Sequence, residues 1–314
     1  MEPKNTSYIR AGGETAKKLK CAAPRPEDAK DTQTNEELTA QLFEDLQGSW
    51  FGNSGQNLIA VPAPDSTPDG LPRFSLLTQN YSERLTFTSA GAPARNRGGD
   101  IDQFISALTY EQVIADINSN EALHIENGMY MNLSKIVKES DGTPEPIPTF
   151  NIARSGTIPH GDSIMMIGGP PTHSEGVPEV PDADAKPPNF TGPLGYLDVY
   201  LETDSFSNPN LILQRKLEEM KNNKITVLEY TTFTLDSNNN GGINNTPFIV
   251  QRANATRAAV TFWLMKVKNE TTGTEFDQLM YSQDIDIEFH NIPNKEPPEL
   301  IIWPHYSVNV LVKQ

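Results

Sequence analysis

Several features that define common protein classes are absent or scarce in this 314-residue chain. Its single cysteine, Cys21, allows neither an internal disulfide nor a cysteine-rich zinc site, which agrees with a reducing compartment. No window approaches the roughly eighteen consecutive apolar residues of a membrane span, and residues 1–5 lack the apolar core of a signal peptide. These absences predict a soluble, cytoplasmic protein without membrane insertion.

Positive charge is scarce as well. The chain carries 25 Lys and Arg against 41 Asp and Glu, which gives a net charge of −16 and a pI near 4.7. Nucleic acids are bound through clustered Lys and Arg, and no basic run here is longer than residues 17–20. The charge therefore argues against a nucleic-acid partner, and the partner expected instead is a small-molecule ligand held in the barrel described below. It leaves the oligomeric state open, a homo-oligomer included.

The usual signatures of catalysis are also missing. The sequence has no Gly-x-Ser-x-Gly elbow and no Walker loop, and its carboxylates are scattered without a pair at the spacing of a two-acid hydrolase. Residues 236–247 begin like a calcium loop, but Pro247 occupies the position where a bidentate glutamate is required. This segment is interpreted as an Asn/Gly-rich hairpin turn, and no catalytic residue is assigned.

The composition divides the chain into an arm and one domain. Residues 1–34 are polar and poor in aromatic residues, which predicts a flexible N-terminal arm. A short helix is expected to begin at Asn35 as its N-cap, so residues 35–314 are predicted to form a single domain. Within it, the proline-rich residues 168–193 predict an extended surface loop, and the spacing of apolar residues in 208–224 predicts an amphipathic helix.

Most of the remaining chain has the pattern of β-strands. The last segment, 300–313, alternates apolar residues with period two from Tyr306 to Val312, as a strand with one buried face does. Other segments have comparable strand patterns, with Gly- and Pro-rich turns between several of them. The fold class predicted is all-β: an antiparallel, calycin-like barrel of about ten strands with short helices and long loop insertions. The other predicted strands are 81–87, 108–115, 123–131, 151–160, 163–168, 225–235, 258–267 and 278–289.

The five histidines are the remaining chemical signal. His173, in the proline-rich loop, and His290, at a strand end, are predicted to face solvent. His124, His160 and His305 lie on or beside predicted strands. Each of the three is a candidate for a hydrogen-bonded structural role or for a ligand role. No His-x-His or His-x-x-x-His pair indicates zinc, but a single axial imidazole needs no such partner, because a porphyrin supplies the other four nitrogens.

Four short motifs occur in order along the chain. They are Gly48-x-Trp50-x-Gly52, Tyr81-x-Glu83-x-Leu85-x-Phe87, Leu123-His124-x-Glu126-x-Gly128, and His305-x-x-Val308-x-x-Leu311-x-Lys313. Together they resemble nitrobindin, the haem-binding β-barrel family related to fatty-acid-binding proteins. The matches cover residues 42 to 170 and the last strand. The chain is about twice the usual length of that family's domain, and its Ile158-Pro159-His160-Gly161 segment has no counterpart there.

The resemblance implies a barrel whose mouth holds haem b. His305 would match the proximal iron ligand and His124 the pocket histidine. Whether His160 takes the place of His124 stays open, and Trp303 and Tyr306 would form part of the wall. It also implies binding of nitric oxide, peroxynitrite or peroxide at ferric iron, with isomerase or weak peroxidase activity. One alternative is a carrier of a fatty acid or another apolar molecule in the same cavity without haem. A third interpretation is a structural protein whose barrel is filled by side chains.

Overall fold

A computed structural model describes residues 34–66, 71–98, 101–138, 150–193 and 195–314. The arm predicted for residues 1–34 lies outside this description, except for Thr34. The strands are β1 (Gly48–Ser66), β2 (Pro72–Ser89), β3 (Ala94–Gly98), β4 (Ile101–Asp116), β5 (Ala122–Lys138), β6 (Ile152–Ile158), β7 (Asp162–Gly168), β8 (Thr172–Glu175), β9 (Ile225–Asp236), β10 (Gly242–Asn245), β11 (Asn254–Asn269), β12 (Glu275–Asn291) and β13 (Leu300–Lys313). The helices are α1 (Asn35–Leu46), α2 (Asp204–Ser207), α3 (Leu211–Asn222) and α4 (Pro247–Arg252), with a 3₁₀ turn at Asp198–Leu201.

Ten of the strands form a closed antiparallel barrel, which confirms the predicted fold class. Their order around the barrel is β7-β6-β5-β4-β2-β1-β13-β12-β11-β9, and the ring closes where β7 pairs with β9 at Ile167 and Asp236. Outside this ring, β3 pairs with β4, β8 with β9, and β10 with β7. Closure leaves the ten ring strands without a free edge, so their backbone groups can pair within the sheet.

Helix α1 and Trp50 fill one end of the barrel. Leu42, Phe43 and Leu46 of α1 belong to the same buried cluster as Trp50, and the indole Nε1 of Trp50 donates to the Leu46 carbonyl at 2.8 Å. The helix begins with a capping box, in which Thr34 and Glu37 satisfy each other's backbone N–H groups. The N-cap is therefore Thr34 rather than the predicted Asn35, because the Thr34 hydroxyl accepts from the Glu37 amide.

Two further apolar clusters cover the outside of the barrel. Helix α3, inside the predicted helical range 208–224, places Leu213 and Met220 against outward side chains of the sheet such as Val308 and Val310. Residues 168–193 contain β8, and their Val180 and Ala185 are buried against these outer clusters. This segment was predicted to be a surface loop, and the structure shows that part of it packs on the barrel. Among the described helices, none is long and apolar enough to cross a membrane.

Candidate functional site

The end of the barrel opposite α1 contains a cavity of about 300 Å³. Its wall is mainly aliphatic, with isoleucines from six strands and with Ile249 of α4. The polar part of the wall consists of three histidines, two acids, four amides and one hydroxyl, and no Lys or Arg is found among the described lining residues. The structural-protein interpretation required a barrel filled by side chains. The cavity shows that the barrel is not filled in this way. The polar lining residues are Asn57, Gln79, Gln112, His124, Glu126, His160, Asp162, Gln283, His305 and Ser307.

His305 lies on β13 and lines the cavity together with Ser307, two positions later on the same strand. Its Nε2 atom is buried and has no hydrogen-bond partner among the described residues. Burial, assisted by His124 and His160, lowers the pKa of His305 to about 3. The imidazole is consequently neutral at physiological pH, which is the form that can coordinate a metal.

His124 of β5 and His160 of the β6–β7 turn form a stacked pair at the same cavity. Their ring centroids are 5.7 Å apart and their planes differ by 24°. Burial lowers the pKa of His160, and the neighbouring His124 lowers it further. The structure thus brings all three predicted pocket histidines to one cavity, and His124 does not exclude His160 from it.

A buried ion pair supports His124 from below. Glu126, two residues along β5, accepts a hydrogen bond from Arg154 Nη2 at 2.7 Å, and its other oxygen lies 3.2 Å from His124 Nε2. Tyr110 also donates to Glu126. Burial alone would raise the pKa of Glu126, but Arg154 and His124 outweigh that cost and hold the pKa at about 2. Glu126 is therefore an ionised carboxylate in the floor of the cavity.

Gly156 makes room for this carboxylate. A Cβ atom at Gly156 would collide with Glu126 Oε1 and with the Tyr110 hydroxyl. Only glycine lets β6 pass this close to the two polar groups, so Gly156 belongs to the construction of the site.

A second buried carboxylate, Glu83 of β2, lies in the same interior layer. It accepts hydrogen bonds from Gln112 at 2.7 Å, Tyr281 at 2.7 Å and Asn309 at 2.8 Å. Burial raises the pKa of Glu83. The side chain of Gln112 connects the two acids. Its Nε2 donates to Glu83, and its Oε1 lies 3.5 Å from Arg154 Nη2, which in turn donates to Glu126. The interior below the cavity is thus one hydrogen-bonded polar network.

Asp162 at the start of β7 is the second acid at the cavity wall. Burial raises its pKa, and its Oδ1 atom is buried without a hydrogen-bond partner among the described residues. Within the same described part of the chain, no three His, Cys, Asp or Glu side chains are grouped so that they could hold a metal ion. A metal held by several protein ligands has no support here, whereas a single imidazole ligand does not depend on such a group.

Trp303 and Tyr306, predicted as parts of the pocket wall, do not line the cavity. Trp303 is fully buried, stacks on Phe289 with ring centroids 5.0 Å apart, and donates from Nε1 to the Phe289 carbonyl. Tyr306 packs at the margin of the same aromatic cluster, because its side chain alternates with that of His305 along the strand. Both residues stabilise the barrel wall rather than the cavity surface.

Sequence analysis did not assign the polar network beneath the histidines. Its members are on neighbouring strands, so no spacing along the chain brings them together. A signal was nevertheless present: in the predicted strand 81–87, Glu83 stands at the same parity as Tyr81, Leu85 and Phe87 and therefore on the same face. A carboxylate within an apolar face must be buried, and a buried carboxylate needs partners.

Comparison with known proteins adds little to this description. No family model matches the chain, and no curated protein matches it. Among solved structures, the chain is similar to the crystal structure of Rv2717c from M. tuberculosis. The identity is 14% and the TM-score 0.38, over 88% of this chain and 97% of that chain. Similarity at this level supports no inference about function, and the fold described above rests on its own strand pairing.

Proposed function

We propose that the barrel binds haem b in the cavity, with His305 Nε2 as the axial iron ligand. The observation that carries the proposal is the buried Nε2 atom, which has no partner among the described residues and lies in the wall of a mainly aliphatic cavity. Leaving such an atom unpaired costs about 1–3 kcal/mol, so a polar group without a partner calls for an explanation. A ligand that coordinates through the imidazole would remove this cost.

The donor set fits haem better than a bare metal ion. One neutral imidazole is sufficient, because the porphyrin supplies the equatorial nitrogens. The aliphatic isoleucines would contact the macrocycle and exclude water, while His124 and His160 would present polar groups to a small ligand. When bound, haem would supply ferric iron with a site for nitric oxide, peroxynitrite or a peroxide, which is the basis for isomerase or weak peroxidase activity.

An absorbance titration with haemin tests this proposal. The wild-type protein is expected to give a saturable shift of the Soret band, and His305→Ala is expected to weaken binding at least tenfold. His173→Ala is the matched control, because His173 is exposed on β8 outside the ring, where its ring nitrogens lie 3.2 Å from the Thr231 hydroxyl and 3.8 Å from Glu229. A wild-type protein that gives no shift, or a His305→Ala variant that binds like the control, would contradict the proposal.

A second candidate function is transport of a neutral apolar molecule without haem. It is favoured by the lining, because the described residues of the cavity wall include no Lys or Arg to pair with the carboxylates of a haem or a fatty acid. The cavity volume is at the lower end of the range of roughly 300–1,000 Å³ typical of small-molecule sites. This candidate predicts that a neutral fluorescent apolar probe binds wild type and His305→Ala with equal affinity and is not displaced by haemin.

A further inference from the structure

The two oxygens of Glu126 have different partners. Oε1 accepts hydrogen bonds from Arg154 Nη2 at 2.7 Å, from Arg154 Nε at 3.1 Å and from the hydroxyl of Tyr110. Oε2 faces His124 Nε2 at 3.2 Å. The carboxylate is therefore fixed by one oxygen and directs the other at an imidazole that lines the cavity.

This arrangement determines where the proton of His124 resides. Glu126 is ionised, since its pKa is about 2, and an ionised carboxylate can only accept a hydrogen bond. Nε2 of His124 must then be the donor, so in the neutral ring Nδ1 carries the free lone pair. No described residue hydrogen-bonds with Nδ1. A carboxylate that selects the tautomer of an imidazole in this way leaves the other nitrogen available as a base.

We propose that His124 accepts the proton of a protic ligand entering the cavity, and that Glu126 and Arg154 are positioning residues that hold Nδ1 in the accepting form. The inference rests on the proposed haem function, and it names the class of ligand that the site favours: small weak acids that bind as their anions. Ligands without a proton, such as nitric oxide, gain nothing from this arrangement.

The step is a simple proton transfer. For hydrogen cyanide, the C–H bond breaks and the proton passes to Nδ1. The electron pair of that bond stays on carbon, where it would be available to the iron of a bound haem. The neutral acid and neutral imidazole become an anion and an imidazolium ion, so atoms and charge balance. The imidazolium keeps its Nε2–H bond to Glu126, whose negative charge stabilises the new positive charge.

The first part of the test concerns the tautomer and needs no haem. Nitrogen-15 NMR of the full chain with labelled histidine is expected to show His124 as the Nε2–H tautomer. Glu126→Gln and Glu126→Asp are expected to lose that preference, and the aspartate variant keeps a carboxylate opposite Arg154 if the glutamine variant does not fold. Glu111→Gln removes the same charge from a side chain on β4 that is 60% exposed, and it should leave the His124 signals unchanged. An unchanged tautomer in both Glu126 variants would overturn the positioning role.

The second part compares two ligands of the haem-loaded protein at neutral pH, where cyanide is almost entirely HCN. In His124→Phe, the association rate of cyanide is expected to fall on the order of 100-fold, the usual contribution of a general base, while that of nitric oxide stays within about twofold. The Glu126 variants are expected to fall between wild type and His124→Phe for cyanide alone. Equal changes for both ligands would overturn the inference and indicate a steric effect. A wild-type protein that takes up no haem would instead contradict the proposed function.

Discussion

His305 is a base that the surrounding protein keeps neutral. Its pKa of about 3 lies below the ordinary value of 6.5, so below about pH 6.5 the unfolded chain binds a proton that the folded chain does not. The stability that neutral His305 contributes to the folded protein is therefore fully present above about pH 6.5. It is lost as the pH falls from there toward about 3. The same burial that keeps the imidazole neutral, as the proposed haem ligation requires, makes the protein without haem sensitive to acid.

The loss of stability at low pH can be tested on the protein without haem. As the pH falls from 7 to 5, protonation of His305 in the unfolded chain should lower the unfolding free energy. The loss begins near the unfolded pKa of 6.5 and approaches about 1.4 kcal/mol per pH unit below it. His305→Leu should lack this component, so its stability should depend less steeply on pH than that of wild type. Urea unfolding at a series of pH values measures the difference, with His173→Leu as the control for loss of a histidine. Parallel pH profiles for wild type and His305→Leu would refute the prediction.

Glu126 and Arg154 form a buried pair whose members depend on each other. Removing the negative charge leaves the Arg154 guanidinium, with only 3% of its side chain exposed, without its carboxylate. We expect Glu126→Gln to lower the unfolding free energy by about 3–5 kcal/mol, the usual cost of breaking a buried ion pair from one side. Glu111→Gln, at an exposed pair with Arg84, should change it by less than about 1 kcal/mol. Chemical denaturation near pH 7 measures the unfolding free energy of both variants. Equal losses of unfolding free energy would show that the buried pair contributes no more than the surface pair.

At the scale of elements, strand β13 shows what alternation along a strand can and cannot reveal. The apolar period from Tyr306 to Val312 predicts a strand with one buried face, and the strand is present. That face is the outer one, since Val308 and Val310 are covered by α3, whereas His305, Asn309 and Leu311 have the inward parity. The sequence pattern alone could not distinguish the two faces, because which face points inward depends on how the barrel closes and where α3 packs.

The cover provided by α3 leads to a stability prediction. Leu213 is completely buried between α3 and the sheet, so Leu213→Ala should lower the unfolding free energy by about 2–5 kcal/mol. Leu201→Ala is the matched control, because 67% of Leu201 is exposed, and it should cost less than about 0.5 kcal/mol. Thermal and urea unfolding measure both. A Leu213→Ala variant as stable as the control would mean that α3 does not stabilise the outer face.

For the whole molecule, the least extensive pairing in the ring is that between β7 and β9. Their register is limited to Ile167 and Asp236, and the Asn239 side chain adds a hydrogen bond to the Ile167 carbonyl at 3.0 Å. Gly168 lies at this seam, where a Cβ atom would collide with the Thr234 carbonyl oxygen. The closure of the barrel thus depends on a position without a side chain.

Substitution at this seam should weaken closure. Gly168→Ala must displace backbone, and we expect it to lower the unfolding free energy by about 1–3 kcal/mol and to speed amide exchange in β7 and β9. Gly242→Ala on β10 is the control, because a Cβ there meets no atom within 4 Å. Denaturation and hydrogen exchange compare the two. A Gly168→Ala protein with unchanged exchange at the seam would refute its role in closure.

The sequence predicted the barrel more fully than the site, for physical reasons. Period-two patterns and turn residues are local, so the strands and the all-β class could be read from single segments. The roles of His124 and His305 in one pocket were predicted through a resemblance rather than from spacing, and His160 was left as an alternative to His124. Glu83, Gln112 and Arg154 meet only because β2, β4, β5 and β6 lie side by side in the sheet. Their roles follow from the requirement that each buried charge has partners.

The most direct test of the account is chemical rescue of the axial ligand. His305→Gly removes the imidazole and leaves space beside the iron, so the variant should lose the wild-type Soret spectrum with haemin and regain it when free imidazole is added. Circular dichroism establishes that the variant is folded, and His173→Gly with the same additions is the control. Restoration of the wild-type spectrum by imidazole in the His305 variant alone is the result that we predict. A His305→Gly protein that binds haemin with the wild-type spectrum before any imidazole is added would contradict the central claim.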